Sequence, residues 1–103
     1  MAKIKATFRI GAGPAITVIG REAQTIIALV DAGPKGITSL ETFYAGWAVR
    51  LGAYIFDLKA MGVPIRSTRE AHDGGKHARY FLAAPVEIIE VIQPDKNKMA
   101  VAA

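Results

Sequence analysis

The sequence predicts an α+β domain in which three helices lead into a C-terminal β-hairpin. Three observations carry this expectation. Apolar residues recur at helical spacing between positions 21 and 61, an alternating run at 64–82 is split by a Gly-Gly pair, and β-branched runs lie near both ends. With 103 residues, 51% of them hydrophobic and 21% charged, the chain is long enough for one modest core and too apolar for a disordered polymer.

Residues 3–10 alternate loosely and read as a strand, and "GAGP" turns the chain into a second short apolar run at 16–19. "REAQTIIALVDAGPKG" follows as a helix on which Ala23, Ile26, Ile27 and Val30 share a face, and Gly33-Pro34 stops it. Ser39 is placed to cap a short helix over 40–45. Alternatively Thr38 caps it, with Glu41 at the third position completing a capping box. Gly46 breaks that helix, a longer one runs over 47–61, and Gly62 closes it before "VPIRST". A helix, two further helices of unequal length joined by a glycine turn, and then a hairpin is the order of a winged helix-turn-helix. The tail "PVEIIEVI" reads as a strand pairing with residues 3–10 or as a helix started by Pro85, and its β-branched residues favour the strand. The single domain thus divides into a strand extension at 1–19, a winged-helix core at 20–84 and a C-terminal extension at 85–103.

On the 47–61 helix, Trp47, Leu51, Tyr54, Ile55 and Leu58 fall on one side and should face the core. Val49, Ala53, Phe56 and Ala60 project from the opposite side, with Arg50 and Asp57 on one flank and Gly52 and Lys59 on the other. This outer face is small and apolar rather than charged. Two readings fit it. Small side chains such as Ala53 let a helix backbone approach a DNA major groove while Arg50 and Lys59 reach guanine edges or phosphates. Or Val49 and Phe56 pack on another part of the chain or on a second subunit, and because an exposed phenylalanine is not a common base reader, Phe56 itself favours the packing role.

In the hairpin, a two-residue turn at Gly74-Gly75 sets Asp73 opposite Lys76, His72 opposite His77, Glu70 opposite Arg79 and Arg69 opposite Tyr80. Both charged pairs then join opposite signs. Ile65, Ala71, Ala78, Tyr80 and Leu82 form the face suited to the core, with Arg69 near its edge. Arg66, Thr68, Glu70, His72, His77 and Arg79 form the other face, which is polar and largely basic.

Composition narrows the chemistry. There is no cysteine, which excludes disulfides and thiolate metal sites and fits a cytoplasmic protein, as does a start without a signal-like apolar run. Thirteen basic against nine acidic residues give a net charge of +4, and the excess lies within residues 1–82 rather than in a terminal arm. His72 and His77 with at most Asp73 or Glu70 make an incomplete metal shell. "GGK" lacks the spacing, the hydroxyl residue and the following helix of a phosphate-binding loop. Paired histidines could share proton transfer in a small nuclease, yet on a solvated strand they are far more often plain polar surface. No catalytic residue, metal, cofactor or small-molecule ligand is therefore expected.

"GREAQTIIALVDAGPKGITSLE" and "WAVRLGAYIFDLKAMGVPIRSTREAHDGGKHARYFL" resemble a family of small winged-helix domains from phages and prophage-like regions, over residues 20–84. The resemblance rests on the "GITSLE" helix start, the spacing of Arg50, Leu51, Ala53, Ile55, Asp57 and Leu58, Gly62 and the "ARYFL" ending. It implies the winged-helix fold and, through the fold, DNA binding and transcriptional regulation. The expected interface is Arg50, Ala53 and Lys59 on the helix, with Arg66, Thr68, Lys76, His77 and Arg79 on the wing contacting the backbone of double-stranded DNA. No membrane contact is expected, and homodimer formation stays open.

Overall fold

The computed structural model describes residues 3–39, 41, 50–72 and 75–93, with the backbone alone at 72 and 75–77. The chain enters through strands β1 (Lys5–Ile10) and β2 (Ala15–Ile19), then helix α1 (Arg21–Ala32) and a single 3₁₀ turn at Gly33–Lys35. Strand β3 (Ile37–Thr38), helix α2 (Leu51–Ala60), strands β4 (Ile65–His72) and β5 (Gly75–Leu82), and strand β6 (Val86–Ile92) complete it. Two α-helices rather than the expected three stand among the described residues. Apart from Glu41, the expected helix over 40–45 lies outside them.

The strands form two antiparallel three-stranded sheets, one ordered β2-β1-β6 and the other β3-β5-β4. The tail is a strand, as its β-branched residues favour, and it pairs with β1 through Phe8–Ile88 and Ile10–Val86. Thr7 pairs with Glu90 while Phe8 pairs with Ile88, so Ile89 is the extra residue of a bulge on this edge strand. Ala6 and Phe8 of β1 and Val18 of β2 point inward and are buried.

Helix α1 is the hub. It touches both sheets and α2, and of its twelve residues only Arg21 and Asp31 are exposed. Ala23, Ile26 and Leu29 are fully buried, so the buried face includes Leu29 and leaves Val30 half-buried. Thr25 is also buried, and its hydroxyl donates to the Arg21 carbonyl at 2.7 Å, which satisfies it inside the core. Leu51, Ile55 and Leu58 of α2 close the core with Ile37, Val63 and Ile65.

Gly36 shows why the second sheet can form so close to the helices. Its φ of 69° and ψ of −174° lie in a region open to glycine almost alone. A Cβ there would meet the Tyr80 carbonyl oxygen at 2.3 Å and the Phe81 Cβ at 3.1 Å. The missing side chain is what lets β3 lie against β5.

Candidate nucleic-acid interface

Helix α2 ends as its sequence predicts. The Gly62 N–H donates to the Lys59 carbonyl at 2.9 Å and the Val63 N–H to the Leu58 carbonyl at 3.1 Å. With Gly62 at φ 97° this is a Schellman motif, and buried Val63 and Leu58 supply the apolar residues that accompany it. The beginning differs from the expected helix over 47–61. Arg50 has φ −116° and ψ 50°, outside the helical region, so it is the N-cap and the helix starts at Leu51. Residues 47–49 lie outside the described ones.

Leu51, Ile55 and Leu58 are buried and Tyr54 is half-buried, as their spacing requires. The outward stripe is rotated from the expected one. Gly52, Phe56, Lys59 and Ala60 are exposed, whereas Ala53 and Asp57 are half-buried. Among the described residues Phe56 is the most exposed large apolar side chain, at 72%.

The hairpin register is shifted by two from the expected one. Glu70 pairs with His77, Thr68 with Arg79 and Arg69 with Ala78, which leaves Asp73 and Gly74 rather than Gly74 and Gly75 between the strands. Asp-Gly is the stronger signal for a two-residue hairpin connection. Because the shift is even, every side chain keeps its face. Buried Ile65, Leu82 opposite it and buried Ile37 opposite Tyr80 mark the face that covers the helices. Tyr80 reaches the start of α2, since a methyl group on Gly52 would lie 3.8 Å from the Tyr80 hydroxyl.

Exposed Ser67 and Arg69 continue this helix-facing side toward the wing tip. Exposed Arg66 and Thr68 lie on the opposite face, with Arg79 and Phe81. Arg69, expected near the edge of the core face beside Tyr80, pairs instead with Ala78, nearer the wing tip. Lys76 pairs with Ala71 and His77 with Glu70 in the ladder, and their side chains lie outside the described structure.

Arg79 is held within the protein. Its Nε donates to Glu70 Oε2 at 2.5 Å and its Nη2 to Glu70 Oε1 at 3.0 Å, a side-on pair between diagonal neighbours on adjacent strands. Nη1 donates to the Lys35 carbonyl at 3.2 Å and lies 3.6 Å from Glu41 Oε1. The hydrogen bond with Glu70, opposed by burial and aided by the charges of Glu70 and Glu41, raises the guanidinium above its ordinary value.

The same Glu41 oxygen accepts the Thr38 N–H at 2.9 Å, while the Glu41 N–H donates to Thr38 Oγ1 at 3.1 Å. These reciprocal bonds form a capping box with Thr38, not Ser39, as the N-cap. Of the eight expected contact residues, then, α2 exposes Arg50 and Lys59, half-buries Ala53, and the wing exposes Arg66 and Thr68 on the face away from α2.

The model of the winged helix domain family matches residues 15–92. The chain belongs to the winged helix domain family. No characterised protein and no solved structure gave a match. The matched segment is wider than the 20–84 core of the sequence analysis. It takes in β2 and β6 and leaves β1 outside. Winged helix domains are of the DNA-binding regulator kind and are generally not enzymes. Among the described residues no helix is long and apolar enough to cross a membrane.

Proposed function

We propose that this winged-helix chain binds double-stranded DNA as a transcriptional regulator of phage or prophage type. The exposed stripe of α2 enters the major groove and the wing follows the adjacent backbone. One observation supports this above the others: exposed cations flank the contact between Tyr80 and the start of α2. Arg50 opens the helix there, and Arg69 stands on the same face of the wing, two residues beyond Ser67.

Gly52 and Ala60 keep the stripe low enough for the helix backbone to approach base edges, and Lys59 supplies a cation near its far end. Arg66, Thr68, Lys76, His77 and Arg79, the wing residues of the sequence analysis, rank behind Arg69 in this reading. Arg66 and Thr68 lie on the far face, and Arg79 is already engaged.

Selection of duplexes from a random pool by the purified chain tests the proposal. Recovery of one motif is expected, with log affinity falling against log salt by roughly 0.9 per phosphate neutralised. A half-site repeated with two-fold symmetry would assign a homodimer. Failure to shift any duplex at low salt overturns it.

Phe56 favours a second reading, in which the winged helix binds a protein through Phe56 and Val49. There Phe56→Ala abolishes a partner complex, while joint neutralisation of Arg50, Lys59 and Arg69 leaves it intact. Loss of activity on neutralising the three cations sinks this alternative.

A further inference from the structure

We propose that Arg79 is a positioning residue that locks the wing to the capping box at Thr38 and makes no phosphate contact of its own. The second half rests on the DNA-binding reading above, and the first half does not.

The argument starts from where Arg79 stands. Strand β5 is the middle strand of its sheet, with Thr38 of β3 on one side of Arg79 and Thr68 of β4 on the other. From there one guanidinium reaches three separate elements. It meets β4 through Glu70, the 3₁₀ turn through the Lys35 carbonyl, and the helix start through Glu41. Its side chain is 23% exposed.

Glu41 Oε1 faces the Thr38 N–H and Arg79 Nη1 together, so the cap and the ion pair share one oxygen. Release of Arg79 therefore frees Glu41 to swing and loosens the cap. Thr38 begins the segment that leads into α2, while Glu70 lies near the tip of the wing. The network thus ties together the two parts that have to meet one duplex in register.

Charge argues against a phosphate contact at the same place. The guanidinium is already engaged by the Glu70 and Glu41 carboxylates, and a phosphate would have to displace Glu70 from a bidentate pair. Lysine cannot reproduce that fork, because it presents a point charge.

The test uses the full chain with Arg79→Ala, Arg79→Lys and Glu70→Gln. Native-state hydrogen exchange at the Thr38 and Glu41 amides needs no DNA. In Arg79→Ala both should exchange faster relative to the Leu29 amide in α1, and unchanged protection there overturns the lock. Duplex affinity is then measured against salt at a temperature where each variant is folded. All three variants should bind more weakly by roughly 2- to 30-fold, the range for residues that modulate a site without touching its ligand, at an unchanged salt slope.

A phosphate contact predicts otherwise. Arg79→Ala would lower the slope by roughly 0.9, lysine would restore binding, and Glu70→Gln would strengthen it. Any of these overturns the proposal. Affinity equal to the parent chain in all three reduces Arg79 to a purely structural role and overturns it too. A parent chain that binds no duplex refutes the DNA reading instead, and hydrogen exchange alone then decides the lock. Should Arg79→Ala fail to fold, Arg79→Lys and Glu70→Gln carry both measurements.

Discussion

Replacing Phe8 by alanine asks whether the terminal sheet shares the core of the winged helix or merely hangs from it. Phe8 is 0% exposed at the centre of β1, between Ile16 of β2 and Ile88 of β6, in a sheet that packs on α1. A phenylalanine side chain buries about 150–250 Å², which at about 25 cal/mol per Å² stabilises the fold by about 4–6 kcal/mol. The methyl group that alanine retains keeps about 0.8 kcal/mol of this. The expected loss is therefore about 3–5 kcal/mol, the span found for such truncations in cores.

Against a total of about 5–15 kcal/mol for a domain, that is a large fraction. It should lower the thermal midpoint by at least about 12 °C, at about 4–8 °C per kcal/mol. Guanidinium unfolding followed by circular dichroism reads the loss directly, with one transition and an unchanged slope. Ile19→Ala, at a position 56% exposed on the outer side of the same sheet, is the control and should stay within about 0.5 kcal/mol. A Phe8→Ala loss below about 1 kcal/mol, or a separate early transition, would refute the claim that both sheets share one cooperative core.

Gly36→Ala should cost about 1–3 kcal/mol for backbone strain alone, and more because its methyl group runs into the Tyr80 carbonyl; a thermal melt unchanged from the parent chain would contradict the close approach of β3 to β5. Thr38→Ala removes the acceptor for the Glu41 N–H and should cost about 0.5–2 kcal/mol, while Thr38→Ser should recover most of it; equal melts for both variants would deny Thr38 its capping role. Arg69→Ala should weaken duplex binding and lower its salt slope by roughly 0.9, and Arg66→Ala on the far face should do less; the reverse order would place DNA against the other face of the wing.

The sequence reads well where the deciding physics is local. Thr38 and Glu41 lie three residues apart, and their capping box is visible as letters before it is seen as bonds. Gly62 after Ala60 announces a Schellman end in the same way, and the β-branched residues of Val86–Ile92 announce a strand. The wing shows an intermediate case. Both Asp73-Gly74 and Gly74-Gly75 can make a two-residue turn, and opposite charges favoured the second. The ladder register leaves the first pair between the strands, and Glu70 still reaches Arg79 because diagonal neighbours on adjacent strands are within range of a long side chain.

The start of α2 was not legible, since a non-helical Arg50 follows from no breaker at positions 47–51. Nor was the engagement of Arg79. Its carbonyl partner at Lys35 is 44 residues away, and only the pairing of β3 with β5 brings them together.

The same distinction bears on the terminal strands. Their sequence marks them as an extension because helical spacing on α1 accounts for a single apolar face, one that a winged-helix core could cover alone. In the structure α1 is covered from more than one side. Ile27 and Ala28 are partly buried beside Ala23, Ile26 and Leu29, and α1 touches β1, β2 and β6 as well as α2 and the wing sheet. The family match includes β2 and β6 yet omits β1, the strand between them. Within the terminal sheet each of these two strands pairs with β1 and not with the other, so Lys5–Ile10 supplies the ladder that both require. With Phe8 at its centre, β1 turns two family strands into a sheet that closes the core over α1.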